Sequence, residues 1–353
     1  MSVVSTISDE RIQSLVTAIT RSTVTSPESI IPFAEMSDAF TALFRLSHHS
    51  AAGVLVAGHA DPGIALATDR AGMTVQEHLG ISPFAADPDG LASLCATGRE
   101  TVYVANPNRV TGSNFGRADL EFLARAVPRG LLVIDEYYFD FFNISAASLL
   151  ASHDNIAIVR SFTAAFGIAS SQSGYIMASP ALVRRLDDFR RAQTFTVTLY
   201  RILSTTIENS EARALRVKMV NDEALRLSGE LNAIGVQSRI SPADFLLLRV
   251  ADPTRFGNAL ARAKIDMRNL DGYPELKNYV RYTIQSPLNN DSLLNAIRRM
   301  PLDYYRIDTI DKRLMRLRTG KQERHAEAFD SERVVERSTA APRVREDETV
   351  FQR

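Results

Sequence analysis

The sequence predicts an α/β fold, a three-layer sandwich in which a mixed, mostly parallel sheet lies between helices, followed by a smaller α+β domain. Short apolar runs typical of buried strands, Gly53–Ala57, Thr101–Ala105 and Gly130–Ile134, alternate with segments of helical periodicity such as Arg117–Ala126. Strands that alternate with helices along the chain favour a parallel sheet covered by helices on both faces.

The remaining elements follow the same two periodicities. Helices are predicted where apolar residues recur every three or four positions, and strands where β-branched and apolar residues run together. The further helices are Ser8–Thr20, Ala39–Phe44, Ile64–Ala71, Pro180–Gln193, a long helix from Tyr200 through Ala233, and Leu293–Ile297. The further strands are Ile156–Val159, Tyr175–Ala178, Asp244–Val250 and Tyr279–Ile284.

These elements divide the chain into three predicted parts. Residues 1–208 form the large domain, and residues 209–310 form the small domain with its own strands. Residues 311–353 are highly charged, poor in aromatic residues and without periodicity, which predicts a disordered tail.

Composition excludes several classes of function. The 353 residues are 45% hydrophobic and 23% charged, with 41 basic and 41 acidic side chains, so no electrostatic preference for nucleic acid follows. The lone Cys95 excludes an intrachain disulfide, and the six histidines lack partners at metal-ligand spacing, so no metal is expected. No apolar run approaches 18 residues and no leader is recognisable, which predicts a cytoplasmic protein without a membrane partner.

Three stretches carry recognisable chemistry, and each of them directly follows a predicted strand. They read Asn106–Gly112 (NPNRVTG), Asp135–Phe141 (DEYYFDF) and Arg160–Tyr175 (RSFTAAFGIASSQSGY). The chain resembles the fold-type I pyridoxal-phosphate (PLP) enzymes, and most closely the histidinol-phosphate aminotransferase branch, whose motifs are N-P-N-N-P-T-G, D-E-A-Y-x-D-F and R-T-x-S-K-A-F-x-x-A-G-x-R-x-G-Y. The resemblance implies the aspartate-aminotransferase-like PLP-transferase fold.

This chain departs from the family where the cofactor is held. The lysine that binds PLP covalently is Ala164, and the arginine that binds its phosphate is Gln172. The aromatic residue that stacks on the ring is Asp61, and Glu35 stands in the glycine turn that receives the phosphate. Coordinated loss at these positions predicts that the protein uses no cofactor.

Other positions of the family site are retained. The resemblance implies that Asp135 is the partner of the pyridinium nitrogen, that Tyr138 reaches the phenolic oxygen, and that Arg281 grips the substrate carboxylate. It also makes Asn106 and Thr163 candidate substrate contacts.

Arg109 replaces the family asparagine near Asp135. A buried carboxylate without a partner costs several kcal/mol, which motivates the hypothesis that Arg109 pairs with Asp135. The alternative is that Arg109 is an exposed loop cation.

Three functions remain open. The first is a repurposed enzyme without PLP that binds a small amino-acid-like or carboxylate substrate through Arg281 and uses Tyr138, Asp135 and Arg109 in catalysis. The second is a catalytically silent member that acts by binding within a dimer. The third is a PLP-dependent aminotransferase of the histidinol-phosphate type. In each case the resemblance implies a homodimer.

Overall fold

The computed structural model describes residues 8–23, 25–48, 53–162, 164–166 and 172–307. Its helices are α1 (Asp9–Thr23), α2 (Met36–Ser47), α3 (Pro62–Arg70), α4 (Pro88–Ser93), α5 (Arg117–Ala126), α6 (Phe139–Phe142), α7 (Pro180–Arg191), α8 (Val197–Glu208), α9 (Ser210–Ala233), α10 (Pro253–Arg262) and α11 (Pro287–Arg298). Its strands are β1 (Ile30–Phe33), β2 (Gly53–Ala57), β3 (Thr74–His78), β4 (Thr101–Ala105), β5 (Leu131–Asp135), β6 (Ile156–Ser161), β7 (Gly174–Ala178), β8 (Gln237–Ile240), β9 (Phe245–Arg249), β10 (Arg268–Asn269) and β11 (Tyr279–Thr283).

The larger of two sheets in the described residues has the strand order β1-β7-β6-β5-β4-β2-β3. Strands β3, β2, β4, β5 and β6 pair in parallel, whereas β7 is antiparallel to both β6 and β1. The predicted mixed, mostly parallel sheet is therefore confirmed. Because parallel strands end at one edge, the residues that follow β4, β5 and β6 lie close together.

Helices cover both faces of this sheet because its central strands are apolar on both sides. Along β5, Leu132 and Ile134 pack with α1 and α5, whereas Leu131 and Val133 pack with α2 and α3. The same alternation in β4 and β6 separates two apolar clusters, one on each face of the sheet. This is the predicted three-layer sandwich.

The second sheet has the order β10-β11-β9-β8, and all of its pairs are antiparallel. Helices α9, α10 and α11 pack on it and close a third apolar cluster. Residues up to Tyr305 form one compact unit that contains both sheets. The division at residue 208 stays a prediction, and the predicted tail, 311–353, lies outside the described residues.

One predicted helix is wrong as a continuous element. The segment from Tyr200 to Ala233 is interrupted at Asn209, where α8 ends and α9 begins. The Asn209 side chain accepts a hydrogen bond from the backbone N–H of Ala212 at 3.2 Å and so caps α9. Helix α9 contacts the turn formed by residues 164–166.

Candidate active site

The carboxyl ends of β4 and β5 bring Arg109 and Asp135 together. Arg109 Nη2 lies 2.6 Å from Asp135 Oδ2, and the Asp135 side chain is fully buried. Asp135 also accepts a hydrogen bond from the Tyr103 hydroxyl at 2.7 Å and from the Tyr137 backbone N–H at 3.0 Å. The predicted pairing of Arg109 with Asp135 is therefore present, and Arg109 is not an exposed loop cation.

Two further neighbours fix the Arg109 guanidinium. Its Nε lies 3.7 Å from Asp61 Oδ2, and its Cζ lies 4.2 Å from the centre of the Tyr137 ring, within range of a cation–π contact. Asp61 itself caps α3, because its Oδ1 accepts a hydrogen bond from the Gly63 N–H at 2.8 Å. Asp61 is thus both a helix cap and a second carboxylate for Arg109.

The electrostatics follow from this burial. Burial raises the pKa of Asp135, while the Arg109 charge and the Tyr103 hydrogen bond act in the opposite direction. Burial lowers the pKa of Arg109, but Asp135 and its other neighbours raise it by more, so the guanidinium stays charged. The pair therefore buries a fixed positive charge next to the carboxylate.

Asn106 stabilises the loop after β4 rather than facing an open cleft. Its side-chain oxygen accepts a hydrogen bond from the Phe115 N–H at 2.8 Å, and its amide nitrogen donates to the Phe115 carbonyl at 3.1 Å. The peptide between Asn106 and Pro107 is cis. Both polar ends of Asn106 are thus engaged in the loop, and its predicted contact with a substrate stays a prediction.

Arg281 lies at the other wall of the site, on β11. Its Nη2 donates a hydrogen bond to the Tyr138 hydroxyl at 2.9 Å and lies 3.7 Å from Asp244 Oδ1. Its Cζ lies 4.1 Å from the centre of the Phe245 ring. Burial, followed by the nearby charge of Asp244, raises the pKa of Tyr138, so this hydroxyl stays protonated at neutral pH. The structure therefore joins two of the predicted site residues, Arg281 and Tyr138.

The structure describes three further positions at which the resemblance implies a departure from the family. Ala164 is buried in a short 3-10 turn, residues 164–166, and its N–H donates to Ser161 Oγ at 3.1 Å. Gln172 is exposed, and its carbonyl accepts a hydrogen bond from the first N–H of α2 at 2.7 Å. Glu35 is exposed at the N-cap of α2 without a side-chain capping bond. Thr163 lies outside the described residues.

A second buried ion pair lies beside the site and was not predicted from the sequence. Arg160 Nε donates to Glu136 Oε2 at 2.8 Å, and Glu136 also accepts from the Ala146 N–H and the Ser145 hydroxyl. Although burial lowers the pKa of Arg160, Glu136 raises it overall. A cavity of about 50 Å³ adjoins the pair, enough for one or two water molecules. The sequence did contain a signal for this pair, because Glu136 and Arg160 have opposite charges and follow the apolar runs of two neighbouring strands.

The fold is that of the aminotransferase family. The family of class I and II aminotransferases matches residues 41–299, more than half of the chain, so this chain belongs to that family. The predicted family is confirmed.

Histidinol-phosphate aminotransferases are among the relatives. The enzyme of Chromobacterium violaceum is 32% identical over 218 residues, 59% of each chain, and histidinol-phosphate aminotransferase 2 of Ralstonia nicotianae is 31% identical over 268 residues, 69% of this chain and 67% of the relative. The chain thus spans less than two thirds of the length of the Chromobacterium relative.

Solved structures share the fold at low identity. The histidinol-phosphate aminotransferase of Clostridium acetobutylicum superposes with a TM-score of 0.72 at 16% identity, over 82% of this chain and 89% of the other. That of Sinorhizobium meliloti, a complex with pyridoxal-5'-phosphate, has a TM-score of 0.70 at 19% identity, over 82% of this chain and 83% of the other.

These comparisons correct one expectation. The prediction that this protein uses no cofactor is wrong, because the relatives are aminotransferases of a PLP-dependent family and one structural neighbour is a PLP complex. The prediction failed because substitutions at contact positions bear on how a cofactor is held, whereas the family bears on which cofactor is used. PLP is therefore the cofactor to consider.

The residues present do not fit PLP held in the ordinary covalent way. Position 164 is alanine and carries no amine, and the carboxylate of Asp135 already has Arg109 at 2.6 Å. Asp61 offers no ring face to stack on a pyridine. A pyridinium nitrogen paired with Asp135, as the resemblance implies, would have to displace Arg109 from that carboxylate.

Two kinds of feature are absent from the described ranges. No helix there is both long and apolar enough to span a bilayer. In the same ranges, no group of three or more His, Cys, Asp and Glu side chains lies close enough to bind a metal ion. Both statements apply only to that part of the chain.

Proposed function

We propose that this protein is a class I/II aminotransferase-family member that binds a small carboxylate-bearing molecule and does not catalyse lysine-dependent transamination. The resemblance implies that the family lysine both attaches the cofactor and moves the proton. Ala164 can do neither, because a methyl group is neither a nucleophile nor a base. Loss of a general base alone typically costs about 10² to 10⁴ in rate.

The ion pair of Arg109 with Asp135 is the observation that carries this proposal. At 2.6 Å, the guanidinium takes the position opposite the carboxylate that the resemblance assigns to the pyridinium nitrogen. PLP enters the proposal as a non-covalent ligand that competes with Arg109 for Asp135. Replacing Arg109 by the family's asparagine is therefore expected to tighten PLP binding.

The carboxylate ligand is assigned to Arg281. A guanidinium on a strand that forms a wall of the site can bind a carboxylate through two parallel hydrogen bonds. Arg281 is held by Tyr138 at 2.9 Å and keeps 13% of its side chain exposed, which supports access from solvent.

Incubation with PLP followed by borohydride reduction and mass spectrometry tests the missing attachment. We expect the absorbance of PLP to be lost on dialysis and no pyridoxyl group to remain on any lysine. Binding of small carboxylates, measured by calorimetry, should be lost in Arg281→Met and kept in Arg262→Gln, a change at an exposed arginine. A pyridoxyl-lysine, or carboxylate binding that survives Arg281→Met, would contradict the proposal.

The second candidate is a PLP-dependent aminotransferase of the histidinol-phosphate type. The names of the Chromobacterium and Ralstonia relatives favour it. Formation of the keto product from histidinol phosphate and a 2-keto acid, above that of a boiled sample, would establish this candidate in place of the first.

The repurposed enzyme is disfavoured relative to a silent binding protein. Its candidate groups are already paired within the protein. Arg109 pairs with Asp135, and Arg281 contacts both Tyr138 and Asp244. Such internal pairing leaves few groups ready to act as acid or base.

The proposal includes a homodimer, as the resemblance implies, and a cytoplasmic location. Light scattering on the purified protein tests the dimer, since a monomer at all concentrations would exclude it.

A further inference from the structure

An acid lies beside Arg281 where the resembled family has an amide. The family motif A-N-F-L-L-V corresponds here to Ala243-Asp244-Phe245, so a carboxylate replaces the asparagine directly before β9. Strands β9 and β11 are neighbours in which Arg281 pairs with Leu247, and the Asp244 carbonyl accepts a hydrogen bond from the Ile284 N–H at 2.8 Å. Asp244 Oδ1 lies 3.7 Å from Arg281 Nη2.

The two groups are close without completing each other's hydrogen bonds. Asp244 Oδ1 and Arg281 Nε are both buried, and neither has a hydrogen-bond partner within the described residues. The side chains of Asp244 and Arg281 keep 18% and 13% of their surface exposed, so the pair is accessible from solvent. A buried acceptor and a buried donor left without partners cost free energy, and a ligand that bonds to both recovers it.

The pKa of Asp244 is raised overall, although its neighbours oppose the shift. Burial raises the pKa of Asp244, while Arg281, the Tyr138 hydroxyl and, more weakly, Arg216 lower it. Arg216 is on α9, and its Nε is also buried without a hydrogen-bond partner in the described part of the chain. These neighbours stabilise the carboxylate form, which can accept hydrogen bonds, against the larger effect of burial.

We propose that Arg281 and Asp244 together bind an α-amino acid as its zwitterion, with the ligand carboxylate on Arg281 and the ligand ammonium on Asp244. This inference rests on the proposed function and adds the class of ligand. A lysine-bearing family member takes up the substrate amine through its cofactor, whereas Ala164 offers no such chemistry. Asp244 gives the ammonium a purely ionic partner next to the group that binds the carboxylate.

The same pair discriminates against related ligands. A 2-hydroxy acid offers Arg281 its carboxylate but leaves Asp244 without a cation, and a second carboxylate near Asp244 is repelled. An amine without a carboxylate satisfies Asp244 alone. The zwitterion is the ligand that satisfies both charged groups.

The test uses ligands that differ in one charged group at a time. The standard L-amino acids are screened by thermal shift, and every hit is measured by calorimetry beside its 2-hydroxy acid and its decarboxylated amine, for example L-phenylalanine, phenyllactate and phenethylamine. We expect the amino acid to bind at least about tenfold tighter than either analogue, because each analogue loses one charge-assisted hydrogen bond.

Asp244→Asn, which restores the family residue and nearly the same shape, should lower amino-acid affinity at least about tenfold and leave hydroxy-acid affinity unchanged or tighter. Asp266→Asn, at an exposed position, is the matched control. Asp244→Ser is a second variant that removes the carboxylate, and melting curves establish that each Asp244 variant is folded.

The outcomes separate this inference from the proposed function. Equal binding of amino and hydroxy acids, with both lost in Arg281→Met, overturns the role of Asp244 and retains the carboxylate site. If the Asp244→Asn variant binds the amino acid with the affinity of the unsubstituted protein, the role of Asp244 is likewise overturned and the carboxylate site is retained. Absence of binding by every amino acid and hydroxy acid overturns both.

Discussion

Arg109 Nη2 lies 2.6 Å from Asp135 Oδ2 at the carboxyl edge of the large sheet, where both side chains are largely removed from water. A buried ion pair is weak support for stability in itself, but removal of one partner leaves an uncompensated charge. The pair therefore gives a sharp expectation for substitution.

Arg109→Met should lower the free energy of unfolding by about 3 to 5 kcal/mol at pH 7, because Asp135 is left charged and buried. Urea unfolding measures the change. The double variant Arg109→Met/Asp135→Asn should recover most of it. Arg125→Gln is the control, since Arg125 and Glu121 form an exposed pair within α5 that is worth about 1 kcal/mol or less.

The pH dependence of Arg109→Met provides a second check. Burial raises the folded-state pKa of Asp135, and removal of Arg109 takes away the largest opposing contribution. A carboxyl group with a raised folded-state pKa stabilises the fold below its unfolded pKa and loses that contribution as the pH rises. The deficit of Arg109→Met should therefore shrink as the pH falls from 7 towards 4. If the loss of unfolding free energy in Arg109→Met is the same at pH 7 and pH 4, the loss comes from packing of the Arg109 side chain and not from the charge of Asp135.

Asn290→Ala should cost about 2 to 3 kcal/mol of unfolding free energy. Its buried amide accepts a hydrogen bond from the Tyr282 hydroxyl at 2.8 Å and donates to Glu223 Oε1 at 2.9 Å and to the Gln285 carbonyl at 3.0 Å. Truncation leaves the buried Tyr282 hydroxyl without this partner and leaves Glu223 Oε1 with Arg226 alone. The neighbouring exposed Asn289→Ala should change stability by about 0.5 kcal/mol or less. Equal effects of the two in urea unfolding would exclude this network.

Two glycine-to-alanine changes should have opposite signs. Gly112 has φ 74°, and a Cβ there would lie 2.8 Å from Ser241 Cβ, so Gly112→Ala should destabilise the fold by about 2 kcal/mol. Gly229 lies inside α9, and an added Cβ there would meet nothing within 4 Å beyond its own stretch of helix, so Gly229→Ala should stabilise by about 0.5 to 1 kcal/mol. Shifts of the melting temperature in opposite directions are the readout, and a shared sign would refute the argument.

Cys95 should react slowly with iodoacetamide in the folded protein. Burial, and then the charge of Glu100, raise the pKa of the Cys95 thiol to about 11. At pH 8.5 the thiolate fraction should be about 100-fold below that of an ordinary cysteine. Since only the thiolate reacts, the rate of labelling should fall by the same factor. Protein in urea should react at the ordinary rate, and Cys95→Ser should take up no label. Equal rates for folded and unfolded protein would mean that the thiol is not perturbed.

The central strands were predictable because burial on both faces leaves a continuous apolar run. Strands β2 and β4 have the predicted bounds, and β5 is displaced by one residue. Strands β3 (TVQEH) and β8 (QSRI) were not predicted, because edge strands with polar residues lack both the apolar run and the alternation. Their pairing is decided by neighbours that are distant in sequence.

The candidate site was predictable only where a charge demanded a partner. Asp135 at the end of an apolar strand required a cation, and Arg109 was the cation at the end of the neighbouring strand. The hydroxyl of Tyr103 on Asp135, and the approach of Asp244 to Arg281, depend on which face of a strand each side chain takes and on register. Register between β9 and β11 is set by packing across the sheet, so no local pattern reveals it.

The two margins of the large sheet also bear on how this protein associates. At one margin, β1 is buried beneath α1 and α7 and contains Pro32, which has no N–H to offer. At the other, β3 carries the polar side chains of Gln76, Glu77 and His78. Both devices discourage a strand of another molecule from adding to the sheet. Two copies of this chain would therefore have to meet through helices and loops rather than by continuing the sheet from one molecule into the next.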